Sequence, residues 1–275
     1  MSSARTDTTL ERPVSAESLG SRLGSTSQKV LWVVISLGGL TLIWQLAVMV
    51  FAIPSVVLPA PGDVAVAMVT YQQVLWNQGV YTTVNILTAF VISIAIGVPV
   101  AMAIAFSETA NRLIYPILVI TQAVPKIAIA PLLLIWFGFS SKTSIVLAVS
   151  LAVFPIIINF ALGLKEIDRD LVLLGKVMGG SRWRLFSKVR APNALPSLFA
   201  GMKLAITFAA TGSVVAEFYA GGQGLGYLAQ SSAGALNTTL TFGAIVAVSV
   251  ITLALFYIIV GVEALVLRSR RDSSH

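Results

Sequence analysis

Few side chains in this sequence can do chemistry, and their types say which chemistry is missing. The 275 residues contain no cysteine, which removes thiol nucleophiles, thiolate zinc sites and disulfides together. The one histidine is the last residue, His275, and no set of histidines and carboxylates has metal-ligand spacing. Gly175-Lys176-Val177 lacks both the upstream glycine spacing and the Ser/Thr of a phosphate-binding loop. In the run Gly221-Gly222-Gln223-Gly224-Leu225-Gly226, Tyr227 stands where a dinucleotide fingerprint needs its last glycine, so a tight turn or re-entrant connector is expected there. No cofactor, nucleotide site or catalytic triad is expected in this chain, and energised work would draw on a partner. What remains is a handful of polar side chains inside apolar stretches. Lys126 lies between Pro125 and Pro131, where it either attracts an anion or neutralises carbonyls opened by the prolines. Glu217, toward the end of another stretch, reads equally as a hydrated gate, an ion-pair member or a substrate contact, and Lys203 is expected to snorkel. Gln122, Lys126, Asn159, Ser213 and Glu217 are the candidates for a pathway or gate.

The elements that carry these residues follow from composition. Hydrophobic residues make up 57% of the chain and charged ones only 11%, against roughly 25% charged in a soluble domain. Stretches of about 20 apolar residues span roughly 30 Å of hydrocarbon as helix, and no period-two alternation suggests a barrel. The fold class is therefore all-α, a multi-pass transmembrane bundle of about six helices: Leu31 to Ile53, Gly79 to Phe106, Leu113 to Phe137, Thr143 to Leu162, Leu195 to Ala220 and Thr241 to Leu267. Residues 1–28, rich in Ser, Thr and Arg, are expected to be a disordered tail. The transmembrane domain then covers 29–268 and a basic tail 269–275. A cleaved signal peptide does not fit the first stretch, which is longer than an h-region.

The net charge of +7 is informative by placement. The segment 163–194 carries Lys165, Arg169, Lys176, Arg182, Arg184, Lys188 and Arg190, and both tails are basic, whereas 54–78 carries only Asp63 and 219–240 no charge. Positive residues mark the cytoplasmic face, so both termini and this loop are expected inside, in agreement with an even number of crossings. Nucleic acid is not an expected partner; membrane lipid is. Within the loop, Ile167, Leu171, Leu174 and Val177 recur at helical spacing up to Gly179-Gly180. Ser181 then caps a second short helix that Pro192 should stop. On pattern alone, a hairpin lying on anionic headgroups and a protein-docking element are equal readings. Gly201, Ala205, Ala209 and Ser213 recur every four residues, a stripe that favours close helix packing.

The string Met-Gly-Gly-Ser-Arg-Trp-Arg-Leu-Phe-Ser-Lys-Val-Arg-Ala-Pro-Asn-Ala-Leu-Pro, residues 178–196, resembles the cytoplasmic EAA loop of permease subunits of bacterial ATP-binding-cassette (ABC) importers. Leu58-Pro59-Ala60-Pro61, Pro125-Lys126 through Pro131-Leu132, Trp136-Phe137-Gly138, and Ala216-Glu217 with Gly224-Leu225-Gly226-Tyr227 extend the likeness to the nitrate/sulfonate/taurine branch. The resemblance implies a type I importer permease fold in a prokaryotic cytoplasmic membrane. It also implies a second permease copy (or a paralogous permease), two cytoplasmic ATPase subunits and an extracytoplasmic binding protein that delivers a small, anionic organic solute. It places ATPase coupling on Arg169, Asp170, Leu173, Leu174, Gly175, Lys176, Gly179, Gly180 and Ser181. Where the general motif begins Glu-Ala-Ala, this chain has Leu173-Leu174-Gly175, so docking has to rest on shape, apolar contact and neighbouring charges. The rival readings are a self-sufficient ion-coupled transporter, for which only Glu217 and Glu263 offer carboxylates, and a membrane scaffold.

Overall fold

The computed structural model describes residues 18–166, 186–220 and 222–272, and all regular structure among them is helical. The ATPase-coupling residues named above, Arg169 to Ser181, lie outside the described residues. Two units are present, Met1–Pro54 and Ser55–His275. The first holds α1 (Ser18–Val50). Residues 18–28, expected to have no fold, thus belong to the helix, because extending an existing helix adds one hydrogen bond per residue without a new nucleus. The apolar part of α1 within the described side chains is Ile35–Val50.

The second unit contains α2 (Pro61–Thr70), α3 (Gln72–Phe106), α4 (Glu108–Ala123), a 3-10 turn (Lys126–Ile129), α5 (Ala130–Phe137), α6 (Ser141–Lys165), a π turn (Phe186–Arg190), α7 (Ala191–Ala220), α8 (Leu225–Gly234) and α9 (Thr238–Asp272). Four helical stretches are long and apolar enough to cross a membrane: Gln72–Phe106, Ser141–Lys165, Phe186–Tyr219 and Thr238–Arg268. α4 and the Lys126–Phe137 segment make a fifth crossing only as a pair bent by 79°. Five of the six expected crossings correspond to these four and the bent pair; the first, Leu31 to Ile53, falls on α1, whose described apolar part is shorter than a crossing requires.

Two proline effects differ from expectation. The stretch 113–137 is not one rod: Pro125 has no N–H to donate and forces Val124 into an extended conformation (φ −75°, ψ 124°), so α4 ends there. Pro192 does not stop a loop helix either. It sits in the first turn of α7, where a missing N–H costs nothing, and the chain enters α7 directly from the π turn.

The core is the α6–α7 pair, the most extensive pairing in the molecule, with α3 against both. Ile86, Ala89 and Phe90 of α3 meet Ala148, Ala152 and Ile156 of α6 and Ala205, Ile206 and Ala209 of α7. Backbones approach closely because glycine allows it. A Cβ at Gly201 would lie 2.8 Å from the Pro155 carbonyl oxygen, and one at Gly212 would lie 2.6 Å from Ala148 Cα. The four-residue stripe is a packing seam, as its spacing indicates: Ala205, Ala209 and Ser213 are fully buried.

Candidate functional site

A polar cluster lies where α7 ends against the early turns of α3. Glu217, 1% exposed, is its centre. Ser213, one turn earlier on α7, donates its hydroxyl to Glu217 Oε1 at 3.1 Å, and the Asn85 amide of α3 reaches the same oxygen at 3.4 Å. Thr82, on the same face of α3, donates to Oε2 at 2.8 Å. The Gly226 amide donates to Oε2 at 3.1 Å.

The third wall is the turn at 222–224 that leads into α8. A helix leaves its first amides without partners inside the helix. Here three successive ones are taken up from outside: Gly224 N–H by Gln78 Oε1, Leu225 N–H by Thr82 Oγ1 at 2.8 Å, and Gly226 N–H by Glu217. A carboxylate at a helix N-terminus also meets the favourable end of the helix dipole. The turn has to be glycine at Gly224, where φ is +102° and a Cβ would run into the Glu217 carboxyl. Behind it, Leu225, Leu228 and Ala229 pack with Leu75 of α3 and with Leu240 and Ala244 of α9.

Lys126 is elsewhere. It opens the 3-10 turn after Pro125, half-buried, and donates to Gln122 Oε1 across the break between α4 and α5. Two pathway candidates, Gln122 and Lys126, are therefore brought together, while the Lys126–Glu217 pairing left open by the sequence is not formed. Asn159 turns its amide to the Pro155 carbonyl of its own helix at 2.8 Å, beside Gly201. Lys203 does not snorkel. It pairs with Glu263 of α9 at 2.8 Å, with the two side chains 26% and 17% exposed. A lone cation beside a carboxylate at that depth satisfies both charges more fully than a reach to the interface.

Sequence reasoning missed Gln78, Thr82 and Asn85. Their signal was available as three polar residues on one face of α3, at i, i+4 and i+7. It also missed a groove of about 460 Å³ between α7 and α9, lined by Thr207, Thr211, Ser249 and Thr252. Each of these hydroxyls donates to a carbonyl of its own helix, at 2.7 to 3.0 Å, so the groove presents acceptors.

The opposite end of the second unit holds the roots of the basic loop. Lys165 donates to Asn111 Oδ1 at 2.9 Å. Phe186 stands edge-on to Phe106, with centroids 5.3 Å apart, and the Arg190 guanidinium lies 5.4 Å from the centroid of the same ring. Both roots are thereby tied to the short turn between α3 and α4.

Residues 93–272 match the family described as binding-protein-dependent transport system inner membrane component. A probable ABC transporter permease protein of Haemophilus influenzae is 32% identical over 229 residues, covering 83% of this chain and 94% of that protein. The riboflavin transport system permease protein RibX of Chloroflexus aurantiacus is also 32% identical, over 83% of this chain and 86% of its own length. The taurine transport system permease protein TauC of Escherichia coli is 28% identical over 82% and 83%. Among solved structures, the inward-facing MetNI methionine ABC transporter superposes with a TM-score of 0.60 at 20% identity, over 73% of this chain and 97% of that one. The fold is thus that of a type I importer permease, and the chain belongs to the binding-protein-dependent inner-membrane permease family of ABC importers.

Proposed function

We propose that this permease lines the translocation pathway for a small anionic organic solute, of the sulfonate or vitamin-precursor class, together with a second copy of itself. An extracytoplasmic binding protein delivers the solute and two cytoplasmic ATPase subunits supply the energy. The observation that carries the reading is the family match across residues 93–272, which spans the loop motif 178–196 and Glu217. Relatives named for taurine, aliphatic sulfonate, riboflavin and formylaminopyrimidine transport bound the solute class. Lys126 supports the anionic choice, since among the described residues its charge is met by the neutral Gln122 amide at a break in the bent crossing. α4 supports the second copy: it buries none of its residues in this chain and leaves Leu113, Ile117 and Ile120 open.

With both termini and the basic loop inside, the Glu217 cluster and α8 lie at the extracytoplasmic end, and the Phe106–Asn111 turn lies at the cytoplasmic end. Docking of the ATPase would press on the loop and rock the helices between inward- and outward-facing states, with no covalent step on the solute. The test is co-purification from detergent followed by reconstitution. An ATPase that comes down with the chain, and uptake that needs both ATP and the binding protein, support the reading. Uptake by the reconstituted chain alone, driven by an ion gradient, overturns it.

A further inference from the structure

We propose that Glu217 is the positioning residue of α8 and works by reach rather than by charge, holding this helix as a fixed wall of the pathway's outer end. The carboxyl is surrounded by donors without a cation. Its four partners are the Thr82 and Ser213 hydroxyls, the Asn85 amide and the Gly226 N–H. Among the described residues no cation bonds to it: Lys203 pairs with Glu263, Lys165 with Asn111, and Lys142, in the first turn of α6, is exposed and makes no bond to the carboxyl. Tyr81, the titratable residue of α3, bonds to Ser141. A carboxylate kept for an ion or a charged solute would be expected to leave one oxygen open, and both oxygens here are spent on packing.

The two oxygens do different work. Oε2 takes the rigid donors: the Gly226 backbone amide, and the Thr82 hydroxyl, whose direction is set because its own oxygen accepts from Leu225 N–H. Oε1 takes the adjustable donors, an amide that can turn over and a hydroxyl that can rotate. A glutamine fits this arrangement. Its oxygen replaces Oε2, its NH2 replaces Oε1, and Asn85 swings its own oxygen round to meet it. An aspartate does not fit, because losing one methylene withdraws both oxygens by about 1.5 Å from an amide that now sits at hydrogen-bond distance. The burial of Leu225, Leu228 and Ala229 against α3 and α9 makes α8 a wall rather than a flap.

The experiment uses the assembled importer and the cysteine-free chain. Uptake per assembled complex is measured for Glu217→Gln, Glu217→Asp and Gly226→Ala, where the added Cβ would run into the Val214 carbonyl oxygen of α7 and lie 2.9 Å from Glu217 Cβ, pushing α8 off its seat. In parallel, a single cysteine placed at the buried Ala229 is probed with a membrane-impermeant maleimide, at rest and during ATP turnover. Glu217→Gln should stay within about twofold of the parent, whereas Glu217→Asp and Gly226→Ala should fall at least about tenfold. The cysteine at 229 should stay unreactive in the parent and in Glu217→Gln, and become reactive in Glu217→Asp. Retention by Asp with loss by Gln would show that charge matters and overturn the proposal. Labelling of the parent at 229 during turnover would make α8 a moving gate and overturn it as well. The uptake arm rests on the importer reading. The labelling of resting protein needs only the chain in a membrane, so failure of the unaltered chain to bind an ATPase would refute that reading and leave the resting comparison of parent, Glu217→Gln and Glu217→Asp standing.

Discussion

Gly212→Ala adds a single methyl group where the backbones of α6 and α7 run against each other. The new Cβ would stand 2.6 Å from Ala148 Cα, 3.0 Å from Ala148 N and 3.0 Å from Leu151 Cδ1. Carbon atoms rest at about 3.5–4.0 Å, so the two backbones must part by roughly 1 Å. Leu151 can rotate aside, but Ala148 Cα and N cannot, and overpacking of this kind costs about 1–3 kcal/mol. Replacing glycine inside a helix returns up to about 1 kcal/mol. The balance is a loss of about 1–2 kcal/mol. Gly261→Ala in α9 is the control, because no atom lies within 4 Å of its Cβ and only the gain of up to about 1 kcal/mol remains. The assay is the thermal melting of purified complex in one detergent, with uptake as a second readout. Gly212→Ala should melt below the parent and Gly261→Ala at or above it. A Gly212→Ala protein that melts with or above the parent would refute the argument that backbone contact limits this seam.

Three further outcomes follow from the polar groups and from the charge pattern. Lys203→Met strands Glu263 and should cost about 2–3 kcal/mol, less than a fully buried pair because both side chains keep some exposure; Lys203→Met with Glu263→Gln should recover at least about 1 kcal/mol, and a coupling near zero would exclude the pair as a structural tie. Lys126→Gln should lower uptake several-fold at unchanged assembly while Lys126→Arg keeps part of it; full uptake by Lys126→Gln would remove the charge from the pathway. Cysteines introduced at Gln73 and Asn237 should react with an impermeant reagent from outside the cell, and one at Ser187 only from inside; outside labelling at 187 would reverse the orientation.

The crossings were legible because lipid imposes one rule on every stretch. The Gly201 to Ser213 seam was readable too, as a small-residue period on one helix. What joins distant segments was not readable. Glu217 stood out as a charge in an apolar helix, but its partners Thr82 and Asn85 lie more than 130 residues away, and the three readings open at Glu217 differ only in what faces it. Lys126 shows the same limit. Its prolines announced a break, whereas the 79° bend and the pairing with Gln122 depend on which way the chain turns after Val124. Pro192 misled because a proline that ends one helix and a proline that begins the next look alike in sequence.

α3 joins the two ends of the permease in one piece. Its last residue, Phe106, carries the ring against which Phe186 and Arg190 rest, and Asn111 just beyond holds Lys165. Toward its other end, Thr82 and Asn85 hold the Glu217 cluster, about 36 Å away at ~1.5 Å per residue. The helix runs through Pro99 without a break. In the proposed import cycle it would serve as a push-rod: a displacement entering at the roots of the basic loop would reach the seat of α8 as a shift of the whole rod. The neighbouring crossing has its joint at Val124-Pro125 and yields where α3 does not. One stiff strut beside one hinged strut turns an even push from below into a tilt above.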